Sequence, residues 1–324
     1  MDQRLITAIV VVIGVPAVLL GYILLVERIL ALAPERRQAG LRPWLWILPA
    51  ILLLGFFLVY PTIATAVRSF QDKTAAAKFI GFDNYAYFFS SPDTLVALRN
   101  SFIWLVLLTL FVVVGGLVTA ILFDRVRYEA IAKSLLFLPL AISFVGAGVI
   151  WKFMFDYEPV GQTQIGTING ALQAVGIGPA AFVTDPPANT IWLIVVGAWI
   201  WTGFAMVILS AALKGISPEI LEAARVDGAN EIALFRRITL PLLAPTIAVV
   251  ATTMIITALK AFDIVYVMTS GNFDTNILAL DMYHQLFDFG QPGRAAAVAT
   301  VLVVLIIPVM IVNIRRFQAQ EAIR

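Results

Sequence analysis

Six charged side chains crowd into sixteen positions of a chain that is 61% hydrophobic and only 13% charged. Ionised side chains make charge-assisted hydrogen bonds to partners of opposite charge. Two of the six, Glu222 and Arg225, stand three residues apart and can face each other on a helix. This density of charge predicts a recognition surface, either for a partner protein or for the membrane surface. The six residues are Glu222, Arg225, Asp227, Glu231, Arg236 and Arg237.

Polar side chains inside an apolar run form a second candidate site. Lys260 and Asp263 lie three residues apart, and Thr257 precedes them on the same run. A charge at the centre of a membrane helix costs about 2.5–3.5 kcal/mol on insertion scales, so these residues are candidates for a solute path. The alternative is a local ion pair that snorkels to the outer surface.

Three aromatic residues, Trp199, Trp201 and Phe204, lie in the middle of another apolar run. The usual aromatic belts lie at the ends of membrane helices, so this position needs another explanation. Sugars present C–H faces that stack on aromatic rings, which makes the cluster a candidate wall for a carbohydrate path. Aromatic rings also pack against lipid and neighbouring helices. The sequence leaves both interpretations open.

Motifs for catalysis and nucleotide binding are missing from the sequence. It has no G-x-x-x-x-G-K-[ST], H-E-x-x-H or G-x-S-x-G pattern, so we expect no ATP site and no such catalytic site on this chain. His284 is the sole histidine and is predicted to be a surface or interface residue. The chain has no cysteine, which excludes disulfides and thiolate metal sites. A formal charge of +2 does not argue for nucleic acid.

The elements that must position these residues are seven apolar runs. A hydrocarbon core of about 30 Å takes about 20 helical residues, and each run is close to that length. All seven should be helices because every backbone polar group in lipid must be paired within its own segment. We therefore predict an all-α, polytopic integral membrane protein with a kink at Pro139. The runs are 5–30, 44–67, 101–123, 134–155, 189–213, 240–262 and 295–314.

Basic residues predict the orientation of these runs. With an external N-terminus, 14 of the 22 Lys and Arg residues fall in cytoplasmic loops and ends, which satisfies the positive-inside bias. The opening run also resembles a signal sequence, but it continues to about Val26 without an A-x-A-like cleavage site, so we expect it to be retained. The 14 residues are Arg28, Arg36, Arg37, Arg42, Arg125, Arg127, Lys133, Lys214, Arg225, Arg236, Arg237, Arg315, Arg316 and Arg324.

Local signals predict two short helices in the charged stretch. Ser217-Pro218-Glu219 is a typical helix start, with a capping side chain, a proline and an acid near the positive end of the dipole. The first helix should run from Pro218 to about Val226 and expose a small apolar face. Asp227-Gly228 permits a turn, because glycine adopts a positive φ at little cost. The face comprises Leu221, Ala223 and Ala224, and the second helix should align Ile232, Phe235 and Ile238.

The same stretch carries a longer pattern. It reads Glu-Ala-Ala, then Gly four residues after the last Ala, then Ile-x-Leu-Pro, at Glu222, Ala223, Ala224, Gly228, Ile238, Leu240 and Pro241. This pattern resembles the EAA loop of the integral membrane subunits of binding-protein-dependent ABC importers. Asp227, Phe235 and Pro245 extend the similarity to the carbohydrate branch, the maltose-type permeases.

The resemblance implies a domain layout and a set of partners. Residues 44–316 would form a six-helix permease core with a cytoplasmic coupling loop at 214–239. Residues 1–43 would add a transmembrane helix and a cytoplasmic linker, and 317–324 a cytoplasmic tail. In that family the loop docks into a cleft of a cytoplasmic ATPase dimer, which binds ATP-Mg. The other implied partners are a second homologous permease, the lipid bilayer, the sugar, and an external solute-binding protein that would contact 185–187 and 270–276.

The predicted function is that of a permease subunit in the cell membrane, importing a sugar such as an α-glucoside. In the maltose-type family the sugar site is built from the two helices that here carry Trp201 and Lys260. Three alternatives stay open: a permease for a non-sugar solute, a membrane scaffold, and an integral-membrane enzyme such as a lipid-linked sugar transferase. The enzyme would need convergent acids or a nucleophile–base pair near the membrane surface. Copurification of an ATPase separates transport from the last two.

Overall fold

The computed structural model describes residues 3–74 and 76–321, and this part of the chain is almost entirely helical. A 3₁₀ turn covers Leu138–Ala141, and π-helical turns cover Gly55–Val59, Phe235–Thr239 and His284–Asp288. The α-helices are α1 (Gln3–Ala31), α2 (Glu35–Leu54), α3 (Tyr60–Arg68), α4 (Asp83–Ser90), α5 (Pro92–Phe123), α6 (Glu129–Phe137), α7 (Phe144–Met154), α8 (Thr167–Ala174), α9 (Ala188–Lys214), α10 (Pro218–Val226), α11 (Glu231–Leu234), α12 (Leu240–Leu259), α13 (Asp263–Met268), α14 (Leu278–Tyr283) and α15 (Pro292–Glu321).

Candidate membrane spans among the described residues number six, or seven if a bent helix pair counts as one. This confirms the all-α, multi-span fold class. Five of the six unbent spans are longer than the apolar runs that predicted them, because polar turns continue the helices at their ends, whereas Val10–Ala31 is shorter than the run 5–30. They are Val10–Ala31, Glu35–Arg68, Pro92–Phe123, Ala188–Lys214, Glu231–Leu259 and Pro292–Val312, with Glu129–Ala141 and Phe144–Met154 as the bent pair.

The bent pair replaces the single kinked helix predicted for 134–155. Its halves meet at 101°, far more than a proline kink produces. Pro139 lies in the 3₁₀ turn that ends the first half. Ser143 then starts the second half as a true cap, because its Oγ accepts the Gly146 N–H at 3.0 Å. A new helix start so close to the proline breaks the span.

The residues up to Thr65 form one compact unit, built around α1 and α2. The Tyr22 hydroxyl donates to the Leu45 carbonyl, and Arg42 donates to Glu27 at 3.0 Å. The polar joint predicted at 34–42 is helical from Glu35 onward. The boundary predicted after residue 43 falls inside α2, and the predicted division into linker, permease core and tail stays a prediction.

The second unit, Ala66–Arg324, contains the hydrophobic core. Here α5 packs along α9, and α12 packs against both. Small residues allow this close approach: a β-carbon on Gly116 of α5 would lie 2.5 Å from the β-carbon of Ala205 in α9. A β-carbon on Gly148 of α7 would meet Val267 of α13 at 3.1 Å. Small residues are typical of positions where membrane helices pack closely.

Candidate functional site

A cavity of about 390 Å³ lies among the long helices of the second unit. Residues of α5, α7, α9, α12 and α13 contribute to its wall, and we call it the transmembrane cavity. Gly197 helps to shape it, because a β-carbon there would come within 3.2 Å of both Trp104 and Leu108. Its lining residues are Trp104, Leu108, Phe144, Gly197, Trp201, Ile256, Thr257, Lys260, Ala261, Phe262, Asp263 and Ile264.

Of the three aromatic candidates on α9, Trp201 lies in the cavity wall. Trp199 faces elsewhere and packs edge-on against Trp151, with ring centroids 5.5 Å apart. Phe204 packs against Trp201 in a T-shaped arrangement, with ring centroids 5.5 Å apart. The three residues therefore do not form one wall. Residues two apart on an α-helix point about 200° apart, which separates Trp199 from Trp201.

The polar candidates Thr257, Lys260 and Asp263 all reach the cavity. Lys260 caps the end of α12 and Asp263 begins α13, so both stand at a break between helices and not inside a continuous span. The ion pairs of the described residues do not include a Lys260–Asp263 pair. The cavity thus has aromatic walls and a polar, charged end.

Three aromatic residues of the cavity wall, Trp104, Phe144 and Phe262, were not predicted from the sequence. Trp104 is fully buried, and its indole N–H has no hydrogen-bond partner among the described residues. Trp104, like Trp201, is a tryptophan inside an apolar run, so the same sequence signal could have identified it. Phe144 stacks on Trp201 with ring centroids 6.0 Å apart. Ring faces and a buried N–H donor suit a solute that combines C–H surface with hydrogen-bond acceptors.

The charged segment, residues 214–239, lies at the other end of the same helices. Its first helix, α10, has the predicted bounds Pro218–Val226. The helix ends in a Schellman arrangement, in which Ala229 N–H donates to Ala224 O and Gly228 N–H donates to Arg225 O, both at 3.0 Å. Gly228 has φ +85° at this turn, as predicted for glycine. Asn230 then caps α11 by accepting the Ala233 N–H at 2.8 Å.

Two predicted side-chain contacts of the charged segment are wrong. Ser217 does not cap α10 through its side chain, because its hydroxyl hydrogen-bonds the Glu219 carboxylate. That bond lowers the pKa of Glu219. Arg225 does not pair with Glu222, since its Nε donates to Glu231 Oε1 at 3.2 Å instead. The turn at Gly228 brings α11 alongside Arg225 and makes Glu231 the nearer acid.

Burial within the charged segment also differs from the predicted apolar face. Ala224 is only 8% exposed and Leu221 is half-buried, so both face the chain itself. Glu222 and Ala223 are exposed, together with Ile220. The apolar side chains of this segment that remain available to a partner are Val226, Ile232 and Ile220, which are 87%, 69% and 46% exposed. Phe235 and Ile238 are half-buried, and Asp227 is exposed.

Ion pairs connect the charged segment to the loop after α5. Glu231 lies 3.2 Å from Arg225 and 4.0 Å from Arg125. Lys214 lies 2.6 Å from Glu129, which also pairs with Lys133. The segment is therefore tied to the loop after α5 and to the start of α6.

One helical path joins the charged segment to the transmembrane cavity. Helix α11, the π-helical turn Phe235–Thr239 and α12 follow one another without a gap and form the single span Glu231–Leu259. Leu240 and Pro241 directly follow the π-helical turn, a local adjustment of the kind that accommodates a proline inside a continuous helix. Lys260 follows the last residue of this span. The charged segment and the cavity wall are therefore joined by one continuous helix.

The loop at 270–276, which the sequence predicts to contact an external partner, is hydrogen-bonded to neighbouring helices of the same chain. Asn100 of α5 donates to the carbonyls of Asp274 and Asn276 at 2.6 and 2.9 Å, and Asn189 of α9 donates to the Phe273 carbonyl at 2.6 Å. The loop at 270–276 is therefore anchored on the ends of α5 and α9. His284 contacts Asp288 at 2.5 Å within the π-helical turn that follows α14.

Comparisons with known proteins complete the description of the site. Residues 84–317 match the family described as "Binding-protein-dependent transport system inner membrane component". The osmoprotective compounds uptake permease protein GgtC of Synechocystis sp. is 49% identical over 86% of this chain and 100% of its own length. The α-glucoside transport system permease protein AglF of Rhizobium meliloti is 44% identical over 85% of this chain and 82% of its own length.

A solved structure shares the fold. It is a chain from the crystal structure of a bacterial ABC transporter that imports the acidic polysaccharide alginate. The TM-score is 0.72, with 24% identity over 88% of this chain and 98% of the other.

Proposed function

Because this chain belongs to the family of binding-protein-dependent transport system inner membrane components, we propose that it is the permease subunit of an ATP-driven importer for an α-glucoside-like sugar. The family is a transport component, and the multi-span helical fold fits that role. The name of the AglF relative supports the substrate class. Osmoprotective compounds, named for the GgtC relative, form the second class to be tested.

The observation that carries the sugar assignment is the make-up of the transmembrane cavity. Trp104, Phe144 and Trp201 offer ring faces, and Lys260 with Asp263 offers hydrogen-bond groups at one end. A pyranose has C–H faces and peripheral hydroxyls, so it uses both kinds of wall. The cavity volume of about 390 Å³ lies within the usual range for small-molecule sites.

The charged segment is proposed to dock on a cytoplasmic ATPase dimer, which would bind ATP-Mg. Its exposed apolar residues Val226 and Ile232 lie beside the charges of Glu222 and Asp227. This combination matches the apolar core and polar rim of protein interfaces. A second homologous permease would complete the membrane part, and an external solute-binding protein would deliver the sugar. We further propose an external N-terminus and a cytoplasmic C-terminus.

Uptake by the assembled complex tests this function. The chain is reconstituted in vesicles with its ATPase, second permease and solute-binding protein, and offered a panel of labelled α-glucosides and osmoprotective compounds. We expect ATP-dependent uptake of an α-glucoside. Trp201→Leu should impair uptake while subunit yield stays normal, whereas the matched variant Trp199→Leu should lower yield first, because Trp199 packs against Trp151. Uptake of osmoprotective compounds alone would contradict the sugar assignment, and normal uptake by Trp201→Leu would contradict the cavity assignment.

A further inference from the structure

Four aromatic side chains form a continuous row that begins at the transmembrane cavity. We call Phe262, Tyr266, Tyr283 and Phe287 the aromatic row. Phe262, Tyr266 and Tyr283 contact one another, with ring centroids 5.1, 5.4 and 5.5 Å apart, and Phe287 extends the row from Tyr283 at 4.8 Å. Phe262 is also a lining residue of the cavity. The row thus continues the cavity wall without a gap between rings.

The row leads away from the transmembrane cavity and crosses four elements. Phe262 lies in the break after α12, Tyr266 in α13, Tyr283 at the end of α14, and Phe287 in the π-helical turn His284–Asp288. Exposure is highest at the far end, because Phe262 and Tyr283 are half-buried whereas Phe287 is 66% exposed. Tyr266 is 39% exposed midway along it. Ring surface is therefore available to a solute along the row.

A second aromatic cluster in the same unit shows what simple packing looks like. Phe155 contacts Trp151, Phe182 and Trp192 with centroid distances of 5.1, 5.0 and 5.9 Å. Phe155 is fully buried, and this cluster carries no hydroxyl group. The aromatic row differs in having two exposed members, Tyr266 and Phe287, and in including two tyrosines. Exposed rings with hydroxyl groups are poor core material but suit a polar ligand with C–H faces.

We propose that the aromatic row is an access path that binds the transported sugar between the outer surface and the transmembrane cavity. This inference rests on the proposed sugar transport, whose substrate class supplies the ligand. A pyranose face would stack on the exposed rings of Phe287 and Tyr266, which Tyr283 connects at centroid distances of 4.8 and 5.4 Å, and then on Phe262 in the cavity wall. Movement along the row then exchanges one stacking contact for a similar one. The bound sugar never leaves an aromatic surface before it reaches Trp201.

Conservative substitutions separate ring stacking from other roles. The complete complex carrying Tyr266→Leu, Tyr266→Phe or Phe287→Leu is assayed for uptake of the α-glucoside that the wild type transports. Phe289→Leu is the matched control, because Phe289 is 62% exposed near Phe287 but lies outside the row. We expect Tyr266→Leu and Phe287→Leu to lower the initial rate at limiting sugar about fivefold, with Tyr266→Phe and Phe289→Leu within about twofold of wild type.

Three results would overturn the access path: wild-type uptake by both leucine variants, an equal loss in Tyr266→Phe, or an equal loss in Phe289→Leu. The second would assign the effect to the hydroxyl, and the third to contact of exposed rings with lipid. Phe287→Leu removes a mostly exposed ring, so it keeps the test valid if Tyr266→Leu fails to fold. Trp201→Leu is measured in parallel. Impaired Trp201→Leu with normal row variants refutes the row alone, whereas absent sugar uptake by wild type refutes the proposed function and the row together.

Discussion

Arg225 of α10 and Glu231 of α11 are joined by a 3.2 Å hydrogen bond across the turn at Gly228. Glu231 also lies 4.0 Å from Arg125 on the loop after α5. All three side chains are at least half exposed, so each pair adds little to stability and is screened by salt. Their importance lies in fixing the direction of α11 relative to α10.

Glu231→Gln tests this fixing role. The variant keeps the size of the side chain but removes its charge, so we expect sugar uptake per ATP hydrolysed to fall by about two- to threefold at low salt. The deficit should disappear at high salt, where the wild-type pairs are themselves screened. Glu158→Gln, on the loop after α7, is the control. An equal deficit at every salt concentration would refute an electrostatic role.

Gly228 differs from a glycine such as Gly215 in having a positive φ. Nothing lies within 4 Å of a β-carbon built on it, so Gly228→Ala suffers only the penalty of φ +85°, about 1–2 kcal/mol. We expect weaker retention of the ATPase, because the strain re-aims α11. Gly215→Ala, where φ is −80°, should retain it normally. Pull-down of the ATPase compares the two, and equal retention would show that the turn has no role in docking.

Ala223 and Ala224 should respond differently to the same enlargement. Ala223 is exposed, so Ala223→Trp should leave subunit yield intact and block the ATPase by steric exclusion. Ala224 is 8% exposed, so Ala224→Trp overpacks the chain and should lower yield, by about 1–3 kcal/mol of stability. Glu222→Lys should resemble Ala223→Trp by reversing an exposed charge. Normal uptake by Ala223→Trp and Glu222→Lys would support a surface helix without a docked partner.

Asp281 predicts a pH dependence of stability. It is 3% exposed and accepts hydrogen bonds from Thr94 at 3.3 Å and Gln285 at 3.5 Å. Burial raises its pKa above the ordinary value of 3.8, although both hydrogen bonds oppose the shift. The folded state therefore binds this proton more tightly, and the resulting stability is lost as pH rises through the folded pKa.

Thermal unfolding of the solubilised complex measures this effect. We expect Asp281→Asn to remove the part of the wild-type decline in Tm that begins above the ordinary carboxyl pKa. Asp83→Asn, an exposed acid at the start of α4, is the control and should leave the profile unchanged. Identical pH profiles for Asp281→Asn and wild type would contradict the assignment.

The orientation of the chain is testable because it has no native cysteine. The positive-inside bias predicts that a membrane-impermeant thiol reagent labels Gln3→Cys and Gln173→Cys in intact cells but not Gln38→Cys. Permeabilised cells should give labelling of all three, which controls for reactivity. Labelling of Gln38→Cys in intact cells would reverse the proposed topology.

Local chemistry explains which features could be predicted from the sequence. The bounds of α10 depend on Pro218 at its start and on Gly228 just after its end, and both act within a few residues. The apolar runs follow from the need to pair backbone groups in lipid, which holds for any sequence. These features require no knowledge of what packs against them.

Tertiary contacts explain the remaining differences. The Glu222–Arg225 pair was plausible by spacing, but α11 folds back and supplies Glu231 as a nearer partner. The spacing of Trp199 and Trp201 places them on different faces of α9, yet only packing decides which face meets the cavity. The break after Pro139 needed both the proline and the Ser143 cap.

The uninterrupted span from Glu231 to Leu259 has a thermodynamic consequence. Its 29 residues make a rod about 44 Å long, so a few degrees of tilt at one end shift the other by ångströms. Linkage requires such coupling to be reciprocal. If docking at α11 selects one tilt and thereby changes the affinity of the cavity for sugar, then sugar in the cavity must change the affinity of α11 for its partner by the same factor.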